Sequence, residues 1–193
     1  MTVLVESFGD VATDSYPAEA RVVRHAVLER RREHATVRAC ARAALMQLGR
    51  RPGPILNDAD GVPIWPVGVV GSLTHCRGYR AALVSLRADL ESVGIDAEPH
   101  VPLPQDMAGG VLREDDTNDL HAGWHADRIA FCAKEAAFKT WFPGQRRWLE
   151  FTDVATNLRS NGTFTACARE VPAVHGLWTV RGGFVVVAGM SPC

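Results

Sequence analysis

Two successive rounds of helix-like and then strand-like sequence restrict the folds open to this chain. In the first round, residues 17–49 carry apolar side chains at helical spacing, with Pro17 suited to a helix start and Gly49 to a helix end. Residues 50–68 are rich in proline and glycine and are expected to form a loop. Short apolar runs typical of strands follow, at residues 67–73, 81–86 and 92–98.

The second round begins with the clearest helix of the sequence, at residues 126–141. Strand-like runs separated by turns come next, at residues 149–158, 163–168, 177–180 and 184–188. Helices before strands, twice, predict an α+β fold built from two similar halves. We place the halves at residues 1–91 and 92–193. Residues 105–125 are polar with scattered glycines and are expected to form a mobile loop.

The overall composition argues against several classes of partner. The chain has 193 residues and a formal net charge of −1, so we expect no nucleic-acid surface. No apolar run approaches the roughly 20 residues of a membrane span, and no basic and then apolar leader follows Met1. We therefore expect a cytoplasmic protein without a membrane partner. The five cysteines are widely spaced, which favours buried apolar roles over disulfides or a zinc site.

Charge is segregated along the chain, and lysine is rare. Residues 1–53 hold nine arginines against six acids, whereas residues 88–119 hold nine acids and one arginine. This pattern suits a polyphosphate bridged by a metal ion, although ordinary solvated surfaces also produce it. Lys134 and Lys139 are the only lysines, against nineteen arginines. Because an ammonium and a guanidinium are not equivalent, the pair indicates a chemical requirement for lysine.

Two carboxylates lie on one face of a predicted strand. Asp96 and Glu98 are two residues apart, so both project from the same side. Adjacent carboxylates repel each other unless a cation lies between them, and oxygen ligands suit Mg²⁺ or Mn²⁺. The alternative is a solvent-facing strand end before Pro99, and the D-x-E pattern alone does not decide between the two.

Two further segments contain candidate functional side chains. Glu135 and Lys139 are four residues apart on the predicted helix and share a face, which is also the pattern of a surface ion pair. Their small apolar neighbours argue that this helix is mostly buried. Thr74 and His75 end a strand-like run, where hydroxyl, imidazole and backbone amides could bind phosphate. A lone T-H after a strand is otherwise a structural histidine.

Taken together and in this order, three motifs resemble the 4′-phosphopantetheinyl transferases of the surfactin/enterobactin-synthetase type. They are G-S-L-T-H-C at 71–76, G-I-D-A-E at 94–98 and F-C-A-K-E-A-A-F-K at 131–139. Residues 36–49 and 61–68 resemble upstream blocks of the same family. The resemblance implies a monomer of two pseudo-symmetric α+β halves with the active site in the cleft between them. It also implies transfer of 4′-phosphopantetheine from coenzyme A to a serine of an apo acyl or peptidyl carrier protein, releasing 3′,5′-ADP.

The resemblance also assigns roles to individual residues. Asp96, Glu98 and Glu135 would be ligands of Mg²⁺, with Mn²⁺ as an alternative, and Glu135 would take the proton from the carrier serine. Lys134 and Lys139 would bind phosphates and offset charge on the leaving 3′,5′-ADP. The remaining contacts to coenzyme A would come from the following residues: Arg30, Arg38 and His75 at the 3′-phosphate, and Asn57, Asp58, Ala59, Asp60 and Thr74 beside the nucleotide.

Two other classes of protein could contain the same set of side chains. The same carboxylates could serve a metal-dependent hydrolase of nucleotide diphosphates, which would release free phosphopantetheine instead of labelling a carrier protein. A binding module could hold coenzyme A without turnover, but the intact set of Asp96, Glu98 and Glu135 argues against it.

Overall fold

The computed structural model describes residues 1–193 and divides them between two sheet systems, the first antiparallel and the second antiparallel except for one short parallel pairing. The first system contains these elements: β1 (Thr2–Phe8), α1 (Pro17–Val22), α2 (Leu28–Gln47), β2 (Val69–Cys76) and β3 (Tyr79–Leu86). The second contains β4 (Ser92–Pro99), α3 (Gln105–Val111), β5 (Thr117–Asn118), α4 (Ala126–Gln145), a 3₁₀ turn (Phe151–Asp153), β6 (Val154–Leu158), β7 (Thr163–Ala168), β8 (Val174–Arg181) and β9 (Phe184–Ser191).

The two sheets share the same arrangement of three strands, to which the second sheet adds three more. The strand order is β1-β3-β2 in the first sheet and β4-β9-β8-β7-β6-β5 in the second. In each sheet the first strand pairs antiparallel with the last strand, which pairs in turn with the one before it. The long helix of each half packs on its first and last strands, α2 on β1 and β3, and α4 on β4 and β9. The predicted α+β fold with two similar halves is confirmed, while the division at residue 91 stays a prediction.

Small residues allow α4 to lie close to its sheet. Ala133, Ala136 and Ala137 of α4 are fully buried. Gly94 of β4 lies beneath the helix, and a Cβ atom there would come within 2.8 Å of the Thr140 backbone nitrogen. Close packing at Gly94 therefore places the Glu135–Lys139 turn of α4 next to Asp96 on β4. No helix of the structure combines the length and hydropathy that a bilayer crossing requires.

The two halves are joined through β2 and β4. The backbone N–H of Ile95 donates to Ser72 Oγ at 3.1 Å, and Thr74 Oγ1 donates to Asp96 Oδ1 at 3.2 Å. One hydrophobic cluster contains residues from both halves: Val70, Tyr79, Ala81 and Leu83 from the first, and Val93, Ile95, Ala97 and Val186 from the second. This shared core fixes the walls of the cleft relative to each other.

The N-terminal half differs from the sequence prediction in two places. Residues 2–8, to which the sequence analysis gave no strand, form β1, an edge strand paired only with β3. Apolar and polar residues alternate only weakly along β1, since Leu4 and Phe8 are apolar and yet exposed. The helical region 17–49 is interrupted after Val22, and α2 begins at Leu28. The first turns of α2 are polar and mostly exposed, so apolar periodicity starts only later in the helix.

The C-terminal half contains more structure than predicted. Residues 105–125 were expected to form a mobile loop, which is wrong, since α3 and β5 lie within them. The Asp116 carboxylate anchors this segment by accepting from the backbone N–H of Arg113 and of Thr156, at 2.8 and 2.7 Å. The strand expected at 149–158 begins only at Val154, after the 3₁₀ turn.

Candidate active site

A cleft of about 440 Å³ lies between the two halves. Its walls come from α1 and α2, the loop after Asn57, β2, β4 and the end of α4. The polar lining residues are Arg30, His34, Arg38, Asn57, Asp60, Ser72, Thr74, His75, Asp96 and Lys139. Phe138, Phe142 and Trp148 form an aromatic cluster at one side, with Phe138 and Phe142 stacked at 4.9 Å between ring centroids.

One wall of the cleft is basic. Arg30, His34 and Arg38 are four residues apart on α2 and therefore share a face of the helix. Arg38 is buried, with Nε donating to the Ile55 carbonyl at 3.0 Å and Nη2 to Asn57 Oδ1 at 3.2 Å. Burial lowers the pKa of Arg38 to about 10, so the guanidinium remains charged at neutral pH. The wall thus presents fixed positive charge to an anionic ligand.

His75 extends this basic wall from the end of β2. Its Nε2 contacts Arg30 Nη1 and lies 3.8 Å from Glu33 Oε2. Burial and the nearby charge of Arg30 lower the pKa of His75 to about 4. At neutral pH the imidazole of the free protein is therefore neutral, and it can donate one N–H.

The loop at residues 57–60 is only partly in the cleft. Asn57 and Asp60 line the cleft, whereas Ala59 is exposed outside it. Asp58 and Asp60 accept from the two terminal nitrogens of Arg146 at 2.7 and 2.8 Å. Since Arg146 follows α4, this forked ion pair ties the loop to the opposite half.

Asp96 lies where the two halves meet, and its two oxygens differ in environment. Oδ1 accepts from Lys139 Nζ at 2.7 Å and from Thr74 Oγ1 at 3.2 Å. Oδ2 is buried and has no hydrogen-bond partner. The ammonium of Lys139 also donates to the Ile95 carbonyl at 3.2 Å. A buried oxygen without a partner is unfavourable, which indicates that a ligand completes this site.

Glu98 and Glu135 lie in the electrostatic field of Asp96. Burial and the charge of Asp96 raise the pKa of both carboxyls, while Lys139 opposes the rise. Neither side chain lines the main cleft; Glu135 borders a smaller adjoining hollow with Phe138 and Trp148. As the side chains are placed, no group of three or more His, Cys, Asp or Glu residues is close enough to hold a metal ion.

Lys134 does not lie in the cleft, and the sequence-based expectation that it binds phosphates is not met in this structure. Its side chain is 1% exposed. The Nζ atom donates to the carbonyl of Val111 and to Asp116 Oδ2, each at 2.7 Å, and to the Phe151 carbonyl at 3.3 Å. With all three N–H groups engaged, Lys134 holds the segment around Asp116 against α4.

We expect Lys134→Met to lower the free energy of unfolding by about 3 kcal/mol or more, because it leaves a buried partner charge uncompensated. Urea denaturation monitored by far-UV circular dichroism measures the loss. Arg147→Met is the control, since its ion pair with Glu170 is exposed and should contribute roughly 0–1 kcal/mol. If the urea midpoint were unchanged and coenzyme A bound more weakly, Lys134 would instead be a phosphate-binding residue.

Two residues of this region were not predicted from the sequence. His34 lines the cleft, and its spacing of four from both Arg30 and Arg38 was the available signal. Arg128 is buried in the first turn of α4 and donates to the Val101 and Pro102 carbonyls at 3.1 and 3.2 Å. Its charge opposes the rise in the pKa of Glu98, whose largest cause is burial. Arg128 belongs to the segment H-A-D-R-I-A-F at 125–131, which resembles the same family, but no role was predicted for it.

Comparisons with known proteins agree with this arrangement. Residues 18–85 match the family "4′-phosphopantetheinyl transferase N-terminal domain", and residues 92–182 match "4′-phosphopantetheinyl transferase superfamily". The 4′-phosphopantetheinyl transferase PptT of Mycobacterium tuberculosis is 43% identical over 190 residues, 89% of this chain and 84% of PptT. Npt of Nocardia iowensis is 38% identical over 195 residues, 90% of this chain and 88% of Npt. Enterobactin synthase component D of Escherichia coli is 31% identical over 123 residues, 61% of this chain and 57% of that protein.

The fold and the cleft define an enzyme of two similar α+β halves, with a basic wall and the carboxylate of Asp96 facing one ligand site. More specifically, the chain belongs to the 4′-phosphopantetheinyl transferase superfamily. It uses coenzyme A and transfers the phosphopantetheinyl group to carrier proteins. The hydrolase and the non-catalytic binding module considered from the sequence are therefore set aside.

Proposed function

We propose that this chain transfers 4′-phosphopantetheine to a serine hydroxyl of an apo acyl or peptidyl carrier protein in a Mg²⁺-dependent reaction that releases 3′,5′-ADP. The proposal rests on the environment of Asp96. Its Oδ1 accepts a hydrogen bond from Lys139, and its buried Oδ2 has no partner. It lies between the basic wall of α2 and the carboxylates of β4 and α4. Because one chain supplies both walls, we propose a monomer as the active form.

The residues around Asp96 fit a divalent cation. Asp96, Glu98 and Glu135 offer only carboxylate oxygens, the ligands that Mg²⁺ and Mn²⁺ prefer. The raised pKa values of Glu98 and Glu135 arise from burial and then from repulsion by Asp96, and a cation would relieve this repulsion. We propose these three residues as the ligands, with rotation of the glutamate side chains to close the set. Bound there, the ion would supply positive charge to the pyrophosphate.

Two side chains of α4 would serve the transfer itself. Burial and nearby carboxylates raise the pKa of Glu135, as expected for a general base that accepts the proton of the carrier serine. Burial lowers the pKa of Lys139, but the carboxylate of Asp96 raises it. The net effect is a raised pKa, so the ammonium stays charged. That charge would offset the negative charge that develops on the leaving 3′,5′-ADP.

The basic wall would bind the nucleotide end of coenzyme A. We assign Arg30, Arg38 and His75 to the 3′-phosphate, because they converge on one side of the cleft. Asn57, which holds Arg38, would border the nucleotide together with Thr74 and Asp60. Asp58 and Ala59 are assigned no direct contact, since Asp58 is bound to Arg146 and Ala59 lies outside the cleft.

Arg38→Ala tests the 3′-phosphate assignment. A charged hydrogen bond of this kind contributes roughly 1.5–3 kcal/mol, so kcat/KM with coenzyme A should fall by about 10- to 100-fold. The same variant should lose little with 3′-dephospho-coenzyme A, because that substrate never makes the contact. Steady-state labelling of an apo-carrier protein by the two substrates measures the difference.

Arg32→Ala is the matched control, since Arg32 is an exposed arginine of the same helix outside the cleft. It should leave both substrates unaffected. Equal losses on the two substrates in Arg38→Ala would mean that Arg38 supports the fold or the pyrophosphate, and the 3′-phosphate site would lie elsewhere.

A further inference from the structure

His34 is an unexplained buried polar side chain in the cleft. It lies on α2, one turn from Arg30 on one side and one turn from Arg38 on the other. The residue is 6% exposed and lines the cleft. Its Nε2 atom is buried without any hydrogen-bond partner. His34 thus adds a buried and unpaired polar atom to the wall of the cleft that carries the two arginines.

The packing of the protein does not require an imidazole at this position. An unpaired buried polar atom destabilises the folded state, and an apolar ring such as phenylalanine would fill similar space without that penalty. Native proteins leave few such atoms unpaired, and those that remain call for an explanation through a ligand or a function. An occupant of the cleft that accepts a hydrogen bond would supply the missing partner.

The charges around His34 indicate what that occupant is. Burial and the charges of Arg38, Arg30 and His75 lower the pKa of His34 to about 4, so the ring is neutral at neutral pH. A neutral imidazole with its proton on Nε2 has one N–H to donate. Two flanking arginines attract an anion to the same place, so the acceptor that fits best is a phosphate oxygen.

We propose that His34 donates its Nε2–H to the 3′-phosphate of coenzyme A, as a further binding residue beside Arg30 and Arg38. This inference rests on the function proposed above, in which the α2 wall holds that phosphate. His34 would add a directional contact without adding charge, so that a phosphate meets a donor between the two guanidiniums. Recognition of the 3′-phosphate would then depend on three consecutive turns of one helix.

The test compares His34→Phe with wild type on coenzyme A and on 3′-dephospho-coenzyme A. We expect kcat/KM to fall about 10-fold with coenzyme A and to stay within about 2-fold with the dephospho substrate. The Tm of the unliganded variant should be equal to or higher than that of wild type, while the rise in Tm caused by coenzyme A should be smaller. His34→Gln keeps an N–H donor and should retain part of the preference for coenzyme A over the dephospho substrate. His175→Phe, which replaces an exposed histidine on β8, should match wild type throughout.

Other outcomes would overturn the inference in distinguishable ways. Equal losses on both substrates at unchanged Tm would assign His34 to the base or the pyrophosphate. A lower Tm with equal losses would make His34 a structural residue. If Arg38→Ala discriminates between the substrates and neither His34 variant does, only this inference fails. If Arg38→Ala does not discriminate either, the 3′-phosphate assignment itself is wrong.

Discussion

Asp96→Ala is expected to lower kcat/KM for carrier-protein labelling by about 10³-fold or more at saturating Mg²⁺. The substitution removes the oxygen that holds Lys139 and the buried oxygen that has no other partner. It therefore removes a proposed metal ligand and the carboxylate that positions the ammonium. Asp96→Asn keeps the shape of the side chain but not its charge, and should lose nearly as much activity.

Activity alone does not identify Asp96 as a metal ligand, so a second measurement is needed. In wild type, Mg²⁺ should raise the Tm in the presence of coenzyme A, because a ligand that binds the folded state stabilises it. Asp96→Asn should abolish this rise. Asp106→Asn, in an exposed position of α3, is the control and should keep both the activity and the Mg²⁺ response. A near-native turnover of Asp96→Ala at ordinary Mg²⁺ concentration would refute the metal assignment.

Much of the site follows from side-chain periodicity. Asp96 and Glu98 lie on a strand and share a face, as the period of two predicts, and burial together with the charge of Asp96 raises the pKa of Glu98. The helix that carries Glu135 and Lys139 was placed from its alanine-rich apolar face, and the structure extends it only by four residues, to Gln145. Local patterns of this kind are set by neighbours in the sequence, which is why the sequence reveals them.

The role of Lys134 could not be predicted in the same way. It precedes Glu135 by one residue, and successive helical positions point about 100° apart, so the two side chains face different surroundings. The partner of Lys134 is Asp116, which belongs to a segment whose polar composition suggested no fixed structure. The rarity of lysine indicated that both positions require an ammonium, but not which partner each ammonium binds. Lys134 forms a buried ion pair with Asp116, and Lys139 forms an ion pair with Asp96.

The contacts of the acidic loop beside the cleft could not be predicted from the sequence either. Asp58 and Asp60 were expected beside the nucleotide, but in the structure both are paired with Arg146. Arg146 follows α4, far along the chain from this loop, and it adopts a positive φ of 52°. Pairings across two halves depend on how β2 meets β4, and no local pattern encodes that contact.

Glu135→Gln is expected to slow the chemical step by about 10²-fold or more, because the amide keeps the shape of the side chain but cannot accept the serine proton. Glu135 is also a proposed metal ligand, so the two roles must be separated. Loss of a ligand weakens Mg²⁺ binding and should be overcome by raising the Mg²⁺ concentration. Loss of the base should persist at every Mg²⁺ concentration. Single-turnover labelling of an apo-carrier protein across a Mg²⁺ titration distinguishes these effects.

We expect the Mg²⁺ titration of Glu135→Gln to saturate at a higher concentration than that of wild type and to reach a plateau rate at least about 100-fold lower. Coenzyme A should still raise the Tm of the variant at saturating Mg²⁺, because the α2 wall is intact. Glu114→Gln, at an exposed position outside the cleft, should follow the wild-type curve. If Glu135→Gln instead reached the wild-type plateau at high Mg²⁺, Glu135 would be a metal ligand only. The proton of the carrier serine would then have to leave by another group, of which Glu98 is the nearest in character, since burial raises its pKa as well.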